Sequence, residues 1–451
     1  MTMKDVSIKL PEPVRPDFVP ADAYVYPSYV QLEEEKLWPK TWLLAAREEE
    51  MPRPGDFVTF DIGKDSILVV RQADKSIKAF YNVCQHRGRR LKDTHCGRTG
   101  KIIRCNFHGW RFNIDGSIES ILNREDWDGC DSFSDDQVNL KEVKHDTWGG
   151  WIWISMDPNI EPLHDYLQPV TALLDPFELE KQRFRSYTTI VVPCNWKVVV
   201  DAFNEAYHSA ATHPSVFKHG WPSSTTKALG KHGAFYQPGE PSIDRSEKVL
   251  PSVVDASVKE KIQYKTQRLW DYAGSMITPM LLEATKRLDE LPADADDMTV
   301  LIKLGEFHKE ELAKAGIEWP AGLTGEFLMS DAPTDIHIFP NTTLVPGGDA
   351  TLWHRMRPNG DDPASCLWDF WALERFPEGQ EPEVGRDFYP SPKEFEGKNP
   401  FLEEDFGNME ATQKGMLSRG FHGGRTNPVQ EVSVSNFHRV LYEYYSAPDE
   451  A

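Results

Sequence analysis

The sequence predicts an α+β protein in two unlike parts, a small all-β domain followed by a larger domain that mixes helices with strands. Three observations carry this. Short β-branched and aromatic runs crowd residues 56–155 with turn residues between them. The texture changes near residue 160, and residues 254–316 are charged and helically periodic. At 451 residues the chain also exceeds one typical domain, so two are expected.

Residues 1–40 read as an N-terminal arm and helix packing on the larger domain, extended at first because Pro11, Pro13, Pro16 and Pro20 favour an open backbone. In the domain of residues 41–160, strands are expected at Phe57–Phe60, Ser66–Val70 and Ile77–Val83, with Gly63, Lys64 and Asp65 turning between the first two. Ile102-Ile103 leads into a loop, and Trp110–Gly116 leaves it as strand and turn. Trp148–Ser155 reads as one further strand, closed by Asp157-Pro158. In the domain of residues 161–451, Tyr187–Val192 reads as a strand and Trp196–His208 as a helix. Asp297 can cap a helix carrying Val300, Leu301, Leu304, Phe307 and Leu312 and ended by Gly316. Strands follow at Asp335–Phe339 and Cys366–Leu373, then a helix from Gln430 to about Tyr445.

A net charge of −21 argues against nucleic acid or an anionic membrane surface as the main partner. No stretch approaches the roughly twenty apolar residues of a membrane span. Of six cysteines, Cys96, Cys130, Cys194 and Cys366 are scattered without a paired framework, the usage of a cytoplasmic protein.

The other two cysteines sit in a pattern. Cys84-Gln-His86 and Cys105-Asn-Phe-His108 are separated by eighteen residues, each beside a glycine, Gly88 or Gly109, where backbone can turn closely round a bulky group. Two thiolates and two imidazoles suit a Rieske [2Fe-2S] cluster, one iron taking the sulfurs and the other the nitrogens. A structural zinc accepts the same four ligands.

A second constellation is Asp201, Glu205, His208 and His213. On a helix the first three share one face. Pro214 should end that helix and swing His213 back toward His208. Two imidazoles and one carboxylate make the facial triad of non-haem Fe(II) oxygenases. Spacing leaves the carboxylate open among Glu403, Glu404, Asp405 and Glu410. Amphipathic packing of two core histidines is the plain alternative.

From about residue 40 onward, the two motifs together resemble the catalytic α subunit of Rieske non-haem iron aromatic ring-hydroxylating oxygenases. The resemblance implies a Rieske β domain joined to a larger helix-grip (START-like) domain with a curved antiparallel sheet. It makes Cys84, His86, Cys105 and His108 the cluster ligands, His208 and His213 the iron imidazoles, and Asp405 the iron carboxylate, with Glu404 as runner-up. Glu205 falls where the family places an acid that carries electrons across a subunit interface, and Asp201 is a possible second acid. The two acids stand exchanged relative to the commonest family pattern, in which the bridge is aspartate; some members with glutamate there are monooxygenases.

What the resemblance implies about function is cis-dihydroxylation of an aromatic substrate at Fe(II), with electrons from the cluster. Monooxygenation, as hydroxylation or demethylation, is the alternative. A zinc-stabilised ligand-binding protein and a pure electron carrier are readings of other classes. Phe203, Trp353 and Phe401 are candidates for the substrate wall. No Gly-rich nucleotide loop is evident, so an external ferredoxin or NAD(P)H-dependent reductase is expected. Eight basic residues against Asp93 between residues 84 and 111 could steer an acidic donor or offset the cluster's charge. The family's usual assembly is a homotrimer, in some cases with a β subunit.

Overall fold

The computed structural model describes residues 14–131, 133–219, 224–236, 256–274, 276–330 and 332–448. The first thirteen residues of the expected arm lie outside them. The chain forms two compact units, one of residues 33–166 and the other of the residues up to 32 with those from 167 onward.

The smaller unit is built from short antiparallel sheets. Ile77–Tyr81, Asp65–Arg71, Asp56–Ile62 and Cys96–Arg98 form four strands in that order, and Ile102–Arg104, Arg111–Asn113 and Ile118–Ser120 form three. Alternation turns Phe57, Leu68, Val70, Phe80, Ile103 and Phe112 into one core, which also encloses Cys84 and Cys105. The single strand expected at 148–155 is instead a hairpin. Lys144–Trp148 turns at Gly149 and Gly150, both at positive φ, into Trp151–Ser155. Two consecutive left-handed residues fold the chain back where the aromatic run alone suggested continuity.

The larger unit holds an eight-stranded sheet. Its strands are β1 (Arg183–Val192), β2 (Thr225–Leu229), β3 (His232–Tyr236), β4 (Asp335–Ile338), β5 (Thr342–Val345), β6 (Ala350–Asn359), β7 (Asp362–Glu374) and β8 (Arg386–Tyr389). The order is β2-β3-β4-β5-β6-β7-β1-β8, antiparallel except where β8 pairs with β1. Helices α1 (Trp196–Ala202), α2 (Ser209–Thr212), α3 (Val258–Ala273), α4 (Asp297–Lys314), α5 (Pro400–Met416) and α6 (Val432–Ser446) accompany it. Helix α1 packs on β6 and β7, α6 on β2 and β3, and α5 on α1 and α3, which makes this the expected helix-grip arrangement. Val198, Val199 and Val200 supply the buried face of α1. The Asn195 side chain caps the helix by accepting from Lys197 N.

The helix expected from 196 to 208 stops at Ala202. The reason is local: the Glu205 carboxylate accepts from the backbone N–H groups of Tyr207 and His208, a turn that competes with the helical ladder. The cap of α4 is Asp296, one residue earlier than expected, where its carboxylate accepts from Thr299 N at 2.9 Å. A buried charge cluster crosses the sheet, with Asp369 on β7 taking Arg355 and Arg357 of β6 and the Thr189 hydroxyl of β1.

Candidate metal centres

Two loops of one design carry the first ligand set. Gly88 N donates to Cys84 O at 3.0 Å and Gly109 N to Cys105 O at 3.1 Å; each turn is closed by a glycine at φ +71 or +74. Both positions need left-handed backbone, which explains the paired glycines. The loops bring ligands together by kind. Cys84 and Cys105 are both buried in the same core, and the neighbouring Cys105 helps to raise the Cys84 thiol. The His86 and His108 rings lie 4.4 Å apart between centroids. His86 is also stacked on Trp110 at 4.8 Å, and its Nδ1 is buried with no hydrogen-bond partner.

Burial pushes the Cys84 thiol up to about 11 and the His86 imidazolium down, so this pocket disfavours both charged forms. A tetrahedral ion with bonds of about 2.0–2.3 Å holds its ligands about 3.3–3.8 Å apart. Among the described residues no three of Cys84, His86, Cys105 and His108 gather ligand atoms within 4.8 Å. Sulfurs paired on one side and nitrogens on the other fit a two-iron group better than one zinc.

The basic excess around these loops is smaller than the sequence suggests. Arg89 is paired with Asp93 at 2.6 Å, Arg90 with Asp61 at 2.9 Å and Arg111 with Glu119 at 2.9 Å. Arg87, Lys101 and Arg104 are exposed, and Arg87 lies over the exposed Phe107 ring at 5.3 Å.

Among the described residues, one group of side chains does gather within 4.8 Å: His208, His213 and Asp405. His208 opens α2 and His213 closes it, so a four-residue helix sets their separation. Asp405 comes from α5, where it is buried. Its Oδ1 lies 3.3 Å from His213 Nε2 and 3.8 Å from His208 Nε2, while its Oδ2 is buried without a partner. Glu205 Oε1 holds His208 Nδ1 at 2.5 Å, and Glu404 Oε2 holds His213 Nδ1 at 2.8 Å. Carboxylates on both Nδ1 atoms leave the two Nε2 atoms facing Asp405, the orientation of metal-binding histidines.

Glu404 and Asp405 therefore divide the work that spacing left open. The neighbours sit about 100° apart on one helix, one reaching the outer nitrogen of His213 and the other the inner. Burial opposes charge on His208, but Glu205 and then Asp405 outweigh it, and its pKa is raised. His213 is stacked on Phe401 at 4.0 Å, and Asn408 Nδ2 donates to Thr212 Oγ1 at 3.3 Å, tying α5 to α2. Asp201 stands apart from the triad. It accepts from Tyr24 Oη at 2.5 Å and lies 2.9 Å from His438 Nε2.

Beside the two histidines lies a cavity of about 130 Å³, with Phe203, Phe217, Phe235, Leu269 and Phe401 in its wall. Trp353 does not line it. His354 faces the cavity, so strand alternation turns its neighbour Trp353 to the other side of β6, where it is fully buried.

Residues 41–129 match a family model of the Rieske [2Fe-2S] domain, and residues 179–447 match the catalytic domain of the ring hydroxylating alpha subunit. The oxygenase subunit of glycine betaine monooxygenase from Pseudomonas aeruginosa is 32% identical over 215 residues, 48% of this chain and 47% of that protein. The large oxygenase component of the naphthalene 1,2-dioxygenase system of Pseudomonas putida is 33% identical over 195 residues, 42% of this chain and 43% of that protein. The chain thus spans about half the length of the curated relatives it matches. A crystal structure of a quaternary ammonium Rieske monooxygenase with L-carnitine superposes with a TM-score of 0.63 at 19% identity. That match covers 96% of this chain and 97% of the other, a likeness of fold.

Proposed function

Because the chain belongs to the family of ring-hydroxylating oxygenase alpha subunits, with a Rieske [2Fe-2S] domain ahead of the catalytic domain, we propose that it is the terminal component of a Rieske monooxygenase. The observation that carries this is the triad of His208, His213 and Asp405 beside an apolar cavity. Cys84, His86, Cys105 and His108 would hold the cluster, and the triad would hold the mononuclear iron. When bound, iron supplies oxygen activation and the cluster supplies electrons.

The protein's own groups have definable tasks. Glu205 and Glu404 fix the ring orientation of the two imidazoles, and Glu205 raises the basicity of His208. Phe203, Phe217 and Phe401 keep water from the space a substrate would fill. Glu205, bonded to His208, would link that imidazole to a cluster held in a neighbouring copy of an oligomer, while Asp201 is hydrogen-bonded to Tyr24 and His438. Reduction comes from an external ferredoxin or reductase.

The one-oxygen outcome is favoured over aromatic cis-dihydroxylation by the glycine betaine monooxygenase relative, together with a glutamate at position 205. Two-oxygen insertion is the second reading, supported by the naphthalene dioxygenase relative. Anaerobic reconstitution with iron and sulfide should give red-brown protein, and turnover under ¹⁸O₂ should leave a single labelled atom in the product. Colourless protein would end the oxygenase reading; a doubly labelled product would end the monooxygenase reading alone.

A further inference from the structure

The wall of the cavity beside His208 and His213 is mostly hydrocarbon, and three of its polar side chains take no part in the metal centre: Lys265, Asp335 and His354. Register explains two of them. Residues His337, Thr343 and His354 stand opposite one another across β4, β5 and β6, and Asp335 lies two positions from His337, so all point to one face of the sheet.

His354 is fully buried, and Trp368 Nε1 donates to its Nδ1 at 3.1 Å. That bond puts the ring proton on Nε2, which is buried and has no acceptor. The Phe203 ring stacks on the imidazole at 4.5 Å, and burial pushes its pKa down to about 3, so the ring is a neutral donor. Asp335 is 3% exposed, and its carboxyl makes no hydrogen bond or ion pair with the described residues. Burial raises its pKa well above the usual carboxylate range. Lys265 reaches the same wall from α3, with Nζ 5.4 Å from the centre of the Phe217 ring.

Burial also lowers the Lys265 pKa, a penalty on its ammonium form that a nearby anion would reduce. A buried N–H without an acceptor is unfavourable until a ligand supplies one. We propose that the cavity takes a small carboxylate on an apolar aryl or alkyl body, with the carboxylate oxygens accepting from His354 Nε2 and Lys265 Nζ. This assignment rests on the reading of the cavity as the substrate site.

The test is calorimetric titration of the reconstituted holoprotein, kept anaerobic so that no turnover occurs, with benzoate, benzamide and benzylamine and with the matching butyl and naphthyl sets. The carboxylate should be the tightest of at least one set by tenfold or more. Lys265→Met and His354→Phe should each weaken it tenfold or more. No carboxylate preference in any set overturns the proposal, whatever the variants do. Carboxylate binding unchanged in both variants also overturns it, because the ligand would then be held by iron alone. Iron content and colour of the same samples report separately on the metal centre.

Discussion

Replacing Glu404 with alanine removes the carboxylate that holds His213 Nδ1 at 2.8 Å, and nothing else in the triad is touched. The ring would still be stacked on Phe401 at 4.0 Å and is 1% exposed, so it stays near its place but loses its fixed tautomer. Loss of such an outer partner lowers metal affinity about 10–100-fold, or about 1.4–2.7 kcal/mol. Glu404→Gln, which keeps an acceptor and loses the charge, should fall between alanine and the native residue. Asp405→Ala should lose the mononuclear iron outright. The assay is iron retention against a competing chelator, with the visible absorbance of the cluster as an internal reference for intact protein. If Glu404→Ala binds iron as tightly as the native chain, the orienting role is wrong. If it behaves like Asp405→Ala, Glu404 is itself a ligand.

Asp369→Asn should remove the buried anion that Arg355 and Arg357 share, costing about 3–5 kcal/mol and lowering the thermal midpoint on the order of 10 °C. Burial alone would raise the Asp369 pKa, but Arg355 and then Arg357 outweigh it and hold the carboxylate below its ordinary range. Its contribution is therefore full above the unfolded value near 4 and disappears as pH falls through the native one, which acid titration of the unfolding midpoint would show. Gly233→Ala should destabilise by about 1–3 kcal/mol, because a Cβ there would sit 1.7 Å from Ser433 Oγ on α6; an unchanged midpoint would mean that α6 moves freely. Ser257→Ala removes the capping box of α3 and should cost about 1 kcal/mol, read as a small fall in the same midpoint.

The cluster loops were legible because their information is local. Cys84, His86, Cys105 and His108 lie in one short stretch, and glycines mark both turns. The two imidazoles proposed for iron were legible for the same reason, although the helix presumed to carry them was not, since the Glu205 carboxylate bonds the backbone of its own turn. The choice between Glu404 and Asp405 could not be made from spacing. It depends on how α5 is rotated against α2, which packing of Phe401 and Asn408 decides. Strands β5 and β6 were missed because both faces are buried and their periodicity is masked. The strand at Asp335 was seen, yet its cavity-facing carboxyl only acquired meaning once β3 to β6 were aligned.

The two inorganic sites differ in how far apart their parts lie along the polypeptide. All four proposed cluster ligands fall between positions 84 and 108, inside a unit that makes its own core. The contact between His213 and Glu404 spans 191 positions. During synthesis the first site can be completed and filled while the ribosome is still at work on later segments. The second needs α5 to have emerged and docked, so the proposed iron site would be completed only at a late, largely folded stage of the molecule's maturation.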